Sequence, residues 1–347
     1  MKKTLVAVAA LAAFSGAMAE VVLGGGVDMA VITTKATDAG ATTTTKDMYG
    51  AAYENSGFTI TATEDLGNGL KVRSFIDMGI YGAGNGQGAN FTREIYTGLS
   101  GEFGSVRLGR ILTPAFLAWA TNEPTGAMAA PGGHEGTVSM LFVQDERDVR
   151  RDETVSYESP SFNGLTFNAQ YNSNVAAGTT GAGSGYGVKY ATGPFAIQFQ
   201  TESISGESIA STVLAGASYG GTSTNLVYAG KTTRQVIAAS YDFGMVKLHA
   251  VSLSAKHNTQ ENTGYSVGIS VPMDAFTFSA NMNETTSTTA ADSTPGALSA
   301  KTTGNVIRAN YSLSKRTTLY AAQGRDSYSV VDGNKTVTTS FGLLHSF

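Results

Sequence analysis

Charged side chains of both signs gather around one stretch of this 347-residue chain. Lys71, Arg73, Arg93, Arg107 and Arg110 precede residues 111–146, and Arg147, Arg150 and Arg151 follow it. Glu123, Glu135, Asp145 and Glu146 stand within the stretch or at its end. The stretch has no clean strand period, and a connection of that length inside a compact domain is usually functional or disordered. The chemistry open to such a set is electrostatic: cations on a wall, acids on a segment folded toward them, and water between, which is the constriction of an aqueous pore. Other chemistries lack their residues. The chain has no cysteine, hence no thiol nucleophile, thiolate metal site or disulfide framework. His134, His249, His257 and His345 are scattered without zinc-site spacing, and the glycines of GNGQG (84–88) do not sit between a strand and a helix as a phosphate loop requires.

The elements that must position these charges are strands. Leu165, Phe167, Ala169 and Tyr171 alternate with Thr166, Asn168, Gln170 and Asn172, and residues 197–200 and 276–283 repeat the pattern, the period-two signal of a strand with one polar face. The polar face is rich in Thr, Asn, Gln and Ser along the whole chain, which suits a wet lumen inside an apolar, lipid-facing wall; a water-soluble barrel or sandwich would also alternate. Short turns such as DLGNG (65–69), EFG (102–104) and DFG (242–244) alternate with longer segments at 34–46, 83–91, 111–146, 174–184, 203–210, 256–262, 285–303 and 327–335. With Gly220-Gly221 as a further short turn and 231–234 as a tight external return, the count is 18 strands in an all-β, transmembrane antiparallel barrel; without the hairpin at 211–233 it is 16. The last strand runs to Phe347 and closes on the first, since a barrel leaves no edge.

The first 19 residues read as a secretory signal: Lys2-Lys3, an apolar run over 5–14, and Ala17-Met18-Ala19 as the cleavage site. Removing them leaves residues 20–347, one barrel domain, and takes the formal charge from −4 to −6 by loss of two lysines. No later run reaches 18 apolar residues, so no helix is expected to span a membrane. The mildly acidic balance offers nothing to nucleic acid.

TEDLGNGLK (63–71), YTGLSGEFGSVRLGR (96–110), YESPSFNGL (157–165), ASYDFG (239–244), LSKRT (313–317) and the terminal HSF (345–347) stand in the order in which Gram-negative general-diffusion porins carry such segments. The chain resembles that family, in particular its betaproteobacterial branch, over nearly all of its mature length. The resemblance implies a homotrimer in the outer membrane, among lipid and lipopolysaccharide, with a third loop (111–146) folded into the lumen. It implies that Phe347 is the signal read by the barrel-assembly machinery, and that Arg93 and Arg150 are lumen arginines. The chain departs from the family at Ser56-Gly57, where an arginine is usual, at Gly26, where some members have lysine, and in lacking a PEFGG-like loop motif.

Alternation adds candidates. If Arg93 points inward, so do Ile95 and Thr97, with Glu94 and Tyr96 outward. Lys71, Arg73 and Asp77 share a face; Arg308 opposes Ile307, Ala309 and Tyr311; Arg150, Asp152, Thr154 and Ser156 share the inward face after the loop. The expected constriction therefore has Lys71, Arg73, Arg93, Arg150 and Arg308 as its bases and Asp28, Asp77, Glu123 and Glu135 as its acids. The function expected is passive diffusion of ions and small hydrophilic solutes, weakly favouring anions, with no catalysis, metal or cofactor. The acids support the competing cation preference, and the alternatives of another class are a structural or adhesive surface barrel and an outer-membrane hydrolase.

Overall fold

The computed structural model describes residues 19–38, 40–50, 53–54, 56–80, 89–126, 149–173, 182–210, 227–257, 260–289, 298–329 and 334–347. The described strands begin with β1 (Glu20–Asp38), β2 (Ala41–Gly50), β3 (Gly57–Gly67), β4 (Leu70–Ile80), β5 (Ala89–Gly101) and β6 (Gly104–Leu112). A short helix, α1 (Pro114–Ala120), follows, then β7 (Arg150–Glu158), β8 (Leu165–Asn172), β9 (Gly183–Thr192), β10 (Phe195–Ala210) and β11 (Val227–Asp242). The chain ends with β12 (Lys247–His257), β13 (Gln260–Met273), β14 (Phe276–Thr289), β15 (Leu298–Ser312), β16 (Thr317–Tyr328) and β17 (Lys335–Ser346). From β3 to β17 each strand pairs antiparallel with the next, and β17 returns to β1 with Gly26 opposite Ser346 and Thr37 opposite Lys335. The sheet is closed, so no edge strand meets lipid.

These 17 strands make 16 staves, because β2 and β3 lie end to end along β1. Met29 to Asp38 of β1 pair with β2, and Glu20 to Gly26 pair with β3. Among the described residues the expected 18 strands are therefore not formed. Residues 231–234, read from sequence as an external turn, lie within β11, where Lys231 pairs with Ser205 and Arg234 with Glu202. The reason is length: β10 and β11 have 16 residues each, more than the ~9–11 a spanning strand needs, so 203–210, read as a loop, and 227–233, read as part of the additional hairpin, belong to this one pair of strands. The Gly220-Gly221 turn lies outside the described residues. Threonine-rich segments read as loops also join the ladder: β1 and β2 pair through Thr34–Thr45 and Asp38–Ala41, and Thr285 to Thr289 extend β14. Threonine is β-branched and favours strands.

Which face is buried decides between the soluble and the membrane reading. Phe167 and Tyr171 of β8 are about half exposed while Gln170 and Asn172 are buried; Phe276, Phe278 and Met282 of β14 are exposed while Ser279, Asn281 and Asn283 are buried. The polar face is inside and the apolar face outside, the inverse of a soluble core. Short turns use left-handed backbone: Gly67, Asn68 and Gly69 have φ of 83°, 52° and 76°, with Asp65 Oδ1 accepting from Gly67 N at 2.8 Å.

This inside-out pattern predicts a depth-dependent response. Met282→Arg, within the outer face of β14, is expected to destabilise the barrel by about 2–4 kcal/mol in phospholipid vesicles, and Met273→Arg, at a strand end beside a turn, by about 0–1 kcal/mol. Denaturant titration of the two variants checks this; equal costs would show that the face does not meet hydrocarbon.

Candidate functional site

The basic wall is built by β4 to β7. Lys71, Arg73, Phe75 and Asp77 share the inward face of β4, opposite Ser100, Gly98, Tyr96 and Glu94 of β5. Tyr96 is buried inside, its ring 5.3 Å from that of Phe75 and beneath the Arg107 guanidinium at 5.6 Å; Ile95 and Leu99 are exposed outside. This reverses the expected parity of β5, yet Arg93 is buried too, with Nε 3.3 Å from Asp77 Oδ2. The cause is a register irregularity between Asp77 and Gly79, where Asn90 to Glu94 on β5 span four steps against two on β4. Such a bulge re-aims side chains, so Arg93 and Glu94 both turn inward, and Glu94 Oε1 accepts from Leu112 N at 3.0 Å.

A second irregularity reshapes β7. The register shifts between Gly109 and Ile111, and Glu153 adopts φ 50°. Thr154 and Ser156 face inward as expected, but Arg151, which alternation sends outward, is as buried as Arg150. Arg151 Nη2 lies 3.8 Å from Glu202 Oε1, which Arg234 Nη1 approaches to 3.2 Å, while Asp152 stays half exposed and takes Arg110 Nη1 at 2.8 Å. The arginine–glutamate–arginine group across β7, β10 and β11 was missed in the sequence because its members are far apart in it.

Residues 113–126 pack on the inward face of the opposite wall. Thr113 caps α1, its Oγ1 accepting from Phe116 N at 3.2 Å, and Pro114 opens the helix, a favourable pairing because proline's missing N–H is not needed there. Phe116 and Trp119, edge to face at 5.5 Å, are buried with Val236, Ala238, Val251, Leu253 and Ala255. On β11 and β12 the inner face is apolar just where the helix lies. The signal available in the sequence was the loss of alternation over 236–239 and the chain's one tryptophan. Glu123 follows the helix; Oε1 accepts from Thr125 N and Oγ1, and Oε2 from Ser266 Oγ and Asn281 Nδ2 at 3.2 and 2.9 Å. Glu135, Arg147, Asp145 and Glu146 lie outside the described residues.

The remaining candidates are not simple pore charges. Asp28 is fully buried; Oδ1 accepts from Tyr320 Oη at 2.6 Å, and Oδ2 from the backbone N–H groups of Tyr53 and Glu54. Arg308 faces inward as expected but is only 3% exposed, its guanidinium 4.3 Å over the Tyr53 ring. Lys71 and Arg73 are exposed to the lumen. Gly57, where the resemblance led one to expect arginine, has no room for a side chain: a Cβ would collide with Met78 O. Phe347 closes the barrel through its backbone, N donating to Gly25 O at 2.9 Å and O accepting from Gly25 N at 3.1 Å.

Comparison with known proteins agrees with this architecture. The sequence profile of the Gram-negative porins matches residues 7–330. Outer membrane porin protein 32 of Delftia acidovorans is 30% identical over 291 residues, 79% of this chain and 76% of that protein. Among solved structures, an anion-selective porin from Comamonas acidovorans superposes with a TM-score of 0.74 at 24% identity, over 95% of this chain and all of that one. OmpT of Vibrio cholerae, in a trimer form, gives 0.68 at 12% identity, again over 95% and 100%. With its closed barrel, polar lumen and apolar exterior, this chain belongs to the Gram-negative porin family, outer-membrane barrels that let solutes diffuse passively.

Proposed function

We propose that this porin favours small anions, and that its narrowest section lies between the basic wall of β4–β7 and the loop that begins at residue 113. The observation that carries the reading is a set of three inward cations, Lys71, Arg73 and Arg107, that stand in no ion pair among the described residues. Arg73 and Arg107 lie instead over aromatic rings. Arg93 and Arg151 are matched by Asp77 and Glu202. Uncompensated cations in a narrow, low-dielectric passage raise the local concentration of anions even when the whole protein is negative. The similar Comamonas acidovorans structure is that of an anion-selective porin, which favours the same reading.

Residues 1–19 act as the export signal in this reading, and 111–146 as the constriction loop, with Glu123 and Glu135 on it. The working form is a homotrimer set among lipid and lipopolysaccharide, and Phe347 hands the last strand to the assembly machinery. No reaction is catalysed; the solutes pass unchanged.

Arg73→Gln and Arg107→Gln are each expected to lower the anion/cation permeability ratio. A unit charge about 5 Å from the path in water is worth about 0.8 kcal/mol, so each loss lowers anion entry and raises cation entry by up to roughly four-fold each before salt screens it. Reversal potentials under a salt gradient in planar bilayers measure this, and unchanged values in both variants would overturn the anion reading.

Deleting residues 115–140 while keeping the strands is expected to raise single-channel conductance, because α1 and its apolar contacts occupy the inner wall. A conductance equal to that of the parent would place the loop outside the ionic path.

A further inference from the structure

The split stave contains more chain than the wall can use. Gly50 of β2 pairs with Met29 and Gly57 of β3 pairs with Gly26. Between these points β1 spends two residues, Val27 and Asp28, and the stave spends six, 51–56. A β-bulge absorbs one extra residue; four extra must leave the ladder.

The described ones turn into the lumen. Asp28, on the inward face of β1, holds them: Oδ2 takes the N–H groups of Tyr53 and Glu54, and Asp28 N and O bond to Ser56 Oγ at 2.9 and 3.1 Å. Tyr53 then reaches past β17. Its ring centre is 5.3 Å from that of Tyr320 on β16, and its hydroxyl accepts from Asn310 Nδ2 on β15 at 3.1 Å. Arg308 lies over this ring, 4.3 Å from its centre and 5.9 Å from that of Tyr320. None of the three guanidinium nitrogens has a hydrogen-bond partner among the described residues. From the other side comes Gly126, at φ +96°, where a Cβ would stand 2.5 Å from Arg308 Nη1 and 3.3 Å from Tyr53 Cδ2. A buried guanidinium without hydrogen bonds is costly, and cation–π stacking returns only part of that cost.

We infer that Tyr53, Glu54 and Ser56 form a second restriction of the pore, made by the wall itself, in which Asp28 is the tether and Tyr53 a cover that withholds Arg308 from passing anions. The inference rests on the pore reading above, but on other residues than its charge test. Tyr53 sets selectivity by position: it narrows the lumen and keeps one cation out of the ionic path.

Because the chain has no cysteine, an introduced thiol is unique, and thiol reactivity reports access. Arg308→Cys in the folded barrel is expected to react more slowly with an anionic methanethiosulfonate than Lys71→Cys, and Tyr53→Ala/Arg308→Cys to react faster than Arg308→Cys alone. In planar bilayers Tyr53→Ala is expected to raise single-channel conductance and to shift the reversal potential toward anions. Adding Arg308→Met should keep the conductance gain and cancel the shift. If Arg308→Cys is labelled as fast as Lys71→Cys, or if Tyr53→Ala leaves conductance and reversal potential unchanged, the inference falls. Arg73→Gln and Arg107→Gln would still separate that failure from failure of the anion reading.

Discussion

Hydrocarbon offers the backbone no hydrogen-bond partners, so each amide in the wall must be met by a neighbouring strand. The seam of β1 with β17, ending in the reciprocal bonds of Gly25 and Phe347, satisfies that demand around the whole circumference. The same constraint decides where irregularity can go. At Arg93 and between β2 and β3, the ladder is interrupted, and in each case the described groups are met on the inner side: Asp77 for Arg93, Asp28 for the N–H groups of Tyr53 and Glu54. Inside, polar side chains and water stand in for the missing strand; outside, nothing would.

An element that enters the lumen must bring its own hydrogen bonds or be given them. The helix does the first, with its capped N-terminus and Asn122 Nδ2 donating to Ala118 O at 2.9 Å. Its apolar side then needs an apolar seat in a polar interior, which Val236, Ala238, Val251, Leu253 and Ala255 provide. Those residues look misplaced for a lumen wall until the helix covers them. Glu123 fixes the end of the helix to β13 and β14 through Ser266 and Asn281, so packing and polar bonds agree on one position.

Strand type, short turns and the sidedness of β8, β14, β15 and β17 were legible in the sequence, because alternation follows directly from a wall with water on one face and lipid on the other. Strand number was not. Thr34, Thr45, Thr285 and Lys231 carry the composition of loops, and nothing local says that a strand continues past the membrane. The inward set was legible only where the ladder is regular: Arg308 and Thr154 follow alternation, whereas Glu94, Tyr96 and Arg151 do not, since the irregularities in β5 and β7 re-aim the side chains around them. The detour at 51–56 left one trace, the replacement of an expected arginine by Gly57. Its meaning depends on Met78 O, a neighbour on another strand.

Basic side chains do three kinds of work in this lumen. Arg93, Arg151 and Arg234 are neutralised at short range by Asp77 and Glu202, and a compensated pair gives a passing ion little more than a dipole. Arg308 is stacked against Tyr53 and kept from the path by that ring. Lys71, Arg73 and Arg107 face water over the remaining wall. Counting inward cations therefore overstates the field along the path, because a charge that already has its counter-charge has little left for a solute. The selectivity of such a pore is set by what the wall leaves uncompensated, and here the fold itself, by bulge and by detour, decides which cations those are.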